Sequence, residues 1–339
     1  MAKSSRREAA NPIEVIEAAY DLGASPHDWL ASITRAIRPL LEGGRGVSAY
    51  TFDMAKPMKA WLQNEVVVDL PPGYLALQRA FQLSAPGTAE AMHVIPEPLD
   101  GLVEATRKAG FGNILEDPVL VGHFREMNVR DYVAFLTIEP GGRGICINAG
   151  QVEERTFDLR TRHVWSRVSA HVAAARRLRE ALVAADAAPV EAMLTPSGKL
   201  EHAEGDGKTT TARAVLREAV RQQERARGRM RRDDPAQATE AWKALVSGRW
   251  SLVDHYERGG RRYIAARRND HTLPDPRALT PRERVVVQLA ALGKSNKLIA
   301  YEIGLSASTV ATHISAAMRK LRVKSRVELI ELARQLGGA

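Results

Sequence analysis

From Leu279 to Ala339 the chain is punctuated so densely by helix starts and stops that little freedom of fold is left to it. Thr280 reads as an N-cap, Pro281 takes the first helical position, and Glu283 completes a capping box three residues after Thr280. Gly293 ends that helix, and a second, short one runs from about Asn296 to Ile303 and stops at Gly304. After the turn Gly304-Leu305-Ser306, Ser306 caps a third helix in which Val310, Ile314, Ala317 and Leu321 recur at helical steps, so one face is buried. Opposite that stripe lie Ser308, Ala311, Thr312, Ser315 and Arg319, small or polar until the arginine. Small side chains let a helix approach closely, and an arginine can bond a guanine edge in bidentate fashion, so this face fits the major groove of DNA.

The charge agrees. Of a net +9, most lies in the last fifth: ten Lys or Arg against four Glu between Thr280 and Ala339. The run from Lys320 to Arg326, at the end of the third helix, has the character of a phosphate footprint.

This segment resembles the C-terminal domain of LuxR/NarL-type regulators, in which four helices present the third to DNA and often use the fourth to dimerise. Leu279-Thr280-Pro281-Arg282-Glu283, Gly293, Ser295-Asn296-Lys297, Ile299-Ala300, Ser306, Thr309-Val310, Thr312-His313, Lys320-Leu321 and Ser325-Arg326 stand where that family's pattern expects them. The resemblance implies phosphate contacts from Ser306, Thr309 and Lys320, base reading by the exposed face with Ser308, Ala311, Thr312, Ser315 and Arg319, and further DNA contacts from Lys297 and Arg326. Two positions depart from it. Ala311 replaces the usual lysine, which shifts base reading toward Thr312, Ser315 and Arg319, and Val285 and Leu292 are apolar where charged, exposed residues are usual.

Upstream, residues 1–11 read as a flexible tail. Residues 12–150 alternate: helical IEVIEAAY and WLASITRAIRPLL, strand-like VSAYTF, a helical middle, then the hairpin DYVAFLTIEPGGRGICINA turning at Glu139-Pro140-Gly141-Gly142. Residues 151–188 centre on one long helix from Asp158 to Ala185, with Leu159, Val164, Val168, His171, Val172, Leu178 and Leu182 on a helical period and a basic patch at Arg176, Arg177 and Arg179. Residues 189–268 hold a strand pair about Pro196-Ser197-Gly198, helices, and a second strand pair about Arg258-Gly259-Gly260, a layout that resembles a PAS-type fold. Residues 269–278, with two prolines and no apolar period, read as a linker to the DNA-binding domain at 279–339. The predicted fold class is therefore α+β: GAF/PAS-like α/β sensor units and, after them, an all-α, four-helix LuxR-type helix-turn-helix domain.

Other constellations dissolve on inspection. Gly205-Asp206-Gly207-Lys208-Thr209 resembles a phosphate-binding loop, yet the pattern needs glycine where His202 stands, and a plain loop fits better. Arg213, Arg217, Arg221 and Arg225, extended by Arg227, Arg229, Arg231 and Arg232, form a cationic stripe that reads as a solvated face. His163 and His171 lack a third metal ligand and read as packing or capping residues, and Cys146, the single cysteine, as a small core residue. No nucleophile, carboxylate pair or nucleotide fingerprint survives, so neither catalysis nor a cofactor or metal is expected. Neither a phospho-acceptor receiver pattern nor the aromatic and acidic constellation of acyl-homoserine-lactone binders is evident. No apolar run approaches the ~20 residues of a membrane helix and no export signal is evident, which points to the cytoplasm. The expected partners are double-stranded DNA and a second copy of the chain, with RNA polymerase and a small-molecule or protein signal at the sensor units as further expectations and no membrane. The competing reading is a protein-docking module whose C-terminal helices bind DNA weakly.

Overall fold

The computed structural model describes residues 10–336 apart from 54–55, 57–59, 85–97, 110–115, 117, 139–142, 184–189, 243–249, 257–259, 269–278, 292–294, 304 and 322. The turn predicted at Glu139–Gly142, the linker 269–278, the helix stops Gly293 and Gly304, and Leu292 lie outside the described residues.

Two capped helices open the chain. In α1 (Pro12–Ala19) Asn11 accepts the amide of Ile13, and in α2 (Pro26–Leu41) Ser25 accepts that of Asp28. α1 packs against α2, and α2 lies on one face of a five-stranded antiparallel sheet of order β2-β1-β5-β4-β3, built from β1 (Val47–Asp53), β2 (Leu62–Val68), β3 (Leu99–Gly101), β4 (Asp131–Ile138) and β5 (Arg143–Gln151). Alternation sorts the side chains: Val47, Ala49, Val133, Phe135, Ile145 and Ile147 join the core on the α2 side, whereas Tyr50, Phe52, Leu136 and Cys146 cluster on the other side. There α3 (Tyr74–Ser84), α4 (Leu102–Ala109) and α5 (Pro118–Glu126) supply a small cluster containing Tyr74, Leu102, Leu120 and Phe124.

The long helix is α6 (Leu159–Val183), within its predicted span, but Leu159 is 71% exposed and stands outside the buried stripe. It buries Trp165, Val168, Val172, Ala175 and Leu178. The patch read at its C-terminal half is only partly a surface one. Arg176 is buried, and Arg179 donates to the carbonyls of Asp21 and Ala24, both at 2.7 Å, while lying over the ring of Trp29.

A second antiparallel sheet, of order β7-β6-β9-β8, comprises β6 (Val190–Leu194), β7 (Leu200–Ala203), β8 (Trp250–Tyr256) and β9 (Arg262–Arg268). Its first hairpin turns where predicted, with Gly198 at φ +82° and the amide of Thr195 bonded to the carbonyl of Lys199. The loop 205–209 is a 3-10 turn leading into α7 (Thr210–Arg225), whose N-cap Thr209 accepts the amide of Ala212. Its Gly207 answers to packing, since a Cβ there would lie 2.3 Å from the carbonyl oxygen of Glu191. Beyond the backbone kink at Gly228 comes α8 (Pro235–Ala241).

The two sheets share one core. A continuous set of buried side chains runs from Ile13 and Trp29 through Phe135, Val168 and Val172 to Leu216, Trp242, Leu252 and Ile264. At its centre the fully buried ring of His171 meets the rings of Tyr20 and Trp242 edge-on, 6.2 and 6.3 Å between centroids. Beside it, Arg227 has left the surface stripe to pair with Glu17, Glu224 and Asp254, each at 3.0 Å. The C-terminal helices α9 (Pro281–Ala291), α10 (Asn296–Ile303), α11 (Ala307–Leu321) and α12 (Arg326–Leu336) enclose a separate core that includes Leu279, Val286, Ile299, Val310, Ile314, Leu321 and Leu329. Among the described residues no group of His, Cys, Asp and Glu has the spacing of a metal site, and no helix is long and apolar enough to cross a membrane.

Candidate nucleic-acid interface

The third helix of the C-terminal unit is built as its spacing predicts. Val310, Ile314, Ala317 and Leu321 are buried, which turns Ser308, Thr312, Ser315 and Arg319 outward as an exposed row one turn apart. Ala311 is half-buried at the edge of that row. At its N-terminus Ser306 accepts the amide of Thr309 at 3.0 Å, and its hydroxyl also meets those of Ser308 at 2.7 Å and Thr309 at 2.8 Å. Three hydroxyls thus gather where the helix dipole and free amides favour an anion. Thr312 donates its hydroxyl back to the carbonyl of Ser308 at 3.1 Å, which leaves the lone pairs of its oxygen able to accept.

The end of this helix is tied to α9 by a contact that the sequence reading missed. Glu283, 5% exposed, accepts the backbone amide of Thr280 at 2.7 Å and the ammonium of Lys320 at 2.6 Å, while Thr280 accepts the amide of Glu283 at 3.2 Å. Burial pushes the Glu283 carboxyl up, but the bonds from Lys320 and Thr280 outweigh it and hold it below its ordinary value. The capping box of α9 is therefore also the anchor of α11. Lys320 combines this structural bond with a position at the end of the outward row, and the 37-residue separation of the pair left no local signal for it.

The other footprint residues divide. Lys297 is exposed on α10, whereas Arg326, half-buried, bonds its guanidinium to the side-chain oxygen of Asn296 and ties α12 to α10. Val285 on α9 is 38% exposed. Replacing Ser306 with alanine removes the cap and its hydroxyl partners, and a loss of ~1 kcal/mol in the C-terminal unit is expected by chemical denaturation.

Comparison with known proteins agrees with this geometry. Residues 277–333 match the family described as bacterial regulatory proteins, luxR family (GerE). Relatives include the uncharacterized transcriptional regulatory protein YvfU of Bacillus subtilis, 37% identical over 78 residues, which are 23% of this chain and 39% of that one. The transcriptional regulatory protein DesR of the same organism is 36% identical over 78 residues, with the same shares of each chain. The nitrate/nitrite response regulator protein NarL of Escherichia coli is 44% identical over 54 residues, 16% of this chain and 25% of that one. The chain thus spans well under half the length of these relatives. A crystal structure of Escherichia coli SdiA aligns with 86% of this chain and 83% of its own at 11% identity and a TM-score of 0.23. Residues 277–333, in a chain that folds as a mixed α+β protein, form a LuxR-family helix-turn-helix domain.

Proposed function

We propose that this protein is a sequence-specific DNA-binding transcription regulator, acting as a homodimer in the cytoplasm, in which the two-sheet region senses a signal and controls the C-terminal domain. The outward row Ser308, Thr312, Ser315 and Arg319, on a helix held by the Lys320–Glu283 bond, is the observation that carries this reading. In it Arg319 bonds a base edge, Ser306, Thr309, Lys297 and Lys320 meet phosphates, and Ala311 allows close approach. Two copies place two such helices at a fixed spacing, and a signal that shifts the sensor halves moves them into or out of register with two half-sites.

Selection of bound fragments from random DNA, and then a salt titration of the best fragment, tests this directly. A two-fold-symmetric site and a steep fall of affinity with salt are expected. The exposed Val285 favours a second reading, a protein-docking surface, and that reading takes over if no sequence is enriched and binding is insensitive to salt.

The two basic residues at the end of the row separate by variant. Arg319→Ala is expected to cost about 1–3 kcal/mol of binding, relax one base position and leave the fold untouched. Lys320→Ala weakens all sequences alike and, by stranding Glu283, also lowers the unfolding stability of the domain. Equal loss of specificity in both variants contradicts these roles.

A further inference from the structure

Along α7, Arg213, Arg217, Arg221 and Arg225 are exposed at steps of four residues, while the helix buries Ala212, Leu216, Val220 and Gln223 on its inner side. Arg225 takes Glu218 at 3.4 Å, but Arg213, Arg217 and Arg221 form no ion pair among the described residues. The carboxylates around them are committed elsewhere. Glu218 also accepts from Gln222 at 3.0 Å, and Glu224 bonds Arg227 and Arg262. In the β6–β7 hairpin, whose Gly198 lies against the stem of Arg221, Glu201 pairs with Lys199 at 2.9 Å and Glu204 with His202 at 3.0 Å. Asp206, in the turn before α7, pairs with none of the three arginines. Like charges one helical turn apart repel, so the stripe costs α7 stability that alternating signs would have returned.

What this row fits is a polyanion of regular spacing. Arginines four residues apart advance ~6 Å along a helix. Phosphates of one DNA strand advance ~3.4 Å each, so every second phosphate falls ~7 Å from the last, within the reach of three flexible side chains. The guanidinium fork also matches phosphate oxygens in pairs. We propose that Arg213, Arg217 and Arg221 contact the sugar-phosphate backbone of DNA outside the segment met by α11, and so add affinity that is independent of sequence. The proposal rests on the regulator reading only in that DNA is brought to the protein, and it gives the two-sheet region a part in holding it. An acidic protein surface offers charge without this period, and the row favours DNA for that reason.

The test uses the full chain and a ~40-bp duplex of mixed sequence, titrated across a salt series. Replacing Arg213, Arg217 and Arg221 together by glutamine is expected to make the fall of log affinity with log salt shallower by about 2–3 and to weaken binding at ~0.1 M salt about tenfold or more. Lysine at the same three positions keeps the charge and is expected to keep the slope. The unfolding temperature of the glutamine variant is expected to hold or rise, because the repulsion along α7 is gone. A control removes the same charge from exposed arginines elsewhere, by Arg35→Gln, Arg125→Gln and Arg160→Gln, and is expected to change the slope little. Failure of the parent to bind the duplex, an unchanged slope in the glutamine variant, or an equal change in the control overturns the contact, and an unchanged slope passes the row to an acidic protein instead. A protein that enriches a symmetric site while its slope ignores the stripe loses this contact alone. One that enriches no site, yet binds mixed sequence through the stripe, loses the sequence-specific reading alone.

Discussion

Arg227→Met is expected to destabilise the two-sheet region by about 3 kcal/mol at pH 7, the largest loss from any single polar change in it. The guanidinium, with its side chain 16% exposed, holds Glu17 of α1, Glu224 of α7 and Asp254 of β8 together and lies 5.3 Å from the centre of the Trp242 ring. Burial has already raised all three carboxyls above their ordinary values, with Arg227 pulling each back down. Without it, Arg231 at 3.6 Å from Glu17, and Arg262, which bonds Glu224 and Asp254, are what remain against three partly desolvated anions. A carboxyl whose folded pKa is raised contributes its stability at low pH and loses it as pH rises through the folded value, and removing Arg227 widens that loss. The deficit measured by denaturant unfolding should therefore shrink between pH 7 and about pH 4. A deficit that is the same at both ends means that Arg227 acts by packing on Trp242.

His171→Leu should shift the balance the other way. The imidazole sits between Tyr20 and Trp242 with no exposure to speak of, and desolvation lowers its pKa to about 3. A histidine whose folded pKa lies below its unfolded one stabilises the protein above the unfolded value, near 6.5, and loses that contribution as pH falls toward the folded one. At ~1.36 kcal/mol per unit this is about 2 kcal/mol by pH 5. Asp131 works in the opposite direction. Its carboxyl is pushed up to about 6 by burial, against bonds from the amides of Val103, Arg155 and Tyr132, so it favours the folded state as pH falls through that range. By pH 5 it returns ~1.4 kcal/mol, leaving the unaltered protein with a shallow profile. The leucine variant, which keeps Asp131 but lacks the titrating ring, is expected to gain about 2 kcal/mol relative to the parent between pH 7 and pH 5. A difference independent of pH excludes a neutral buried His171.

Local chemistry decided the features that could be read in advance. The caps at Thr280 and Ser306, the stripe Val310, Ile314, Ala317 and Leu321, and the strand pairs β4–β5 and β6–β7 each declare themselves within one short stretch of chain, and each is in place. The segment between β1 and β4, read as helical, also holds two strands. β2 is an edge strand with one fully buried side chain, Val66, so its alternation is faint, and β3 has three residues, too few to show any period. Sites built from distant residues were illegible for a different reason. Arg227 belongs by spacing to an exposed stripe and is turned inward by partners on α1 and β8, and Lys320 finds Glu283 across the whole domain. Cys146 needed no such contact to be placed: it is buried beside Tyr50, and its thiol pKa is raised by that burial, the reverse of what a reactive thiolate needs.

The core common to both sheets has a consequence for anyone who would cut or recombine the chain. Ile13, Val168 and Val172 line the same interior as Leu216, Trp242 and Ile264, so severing the chain near residue 150 or 188 bares an apolar face on each fragment. Neither sheet is a portable cassette. A chimaera that keeps residues 10–268 intact and exchanges only the C-terminal helices leaves every member of that interior with its neighbours, whereas grafting one sheet alone yields a product expected to aggregate.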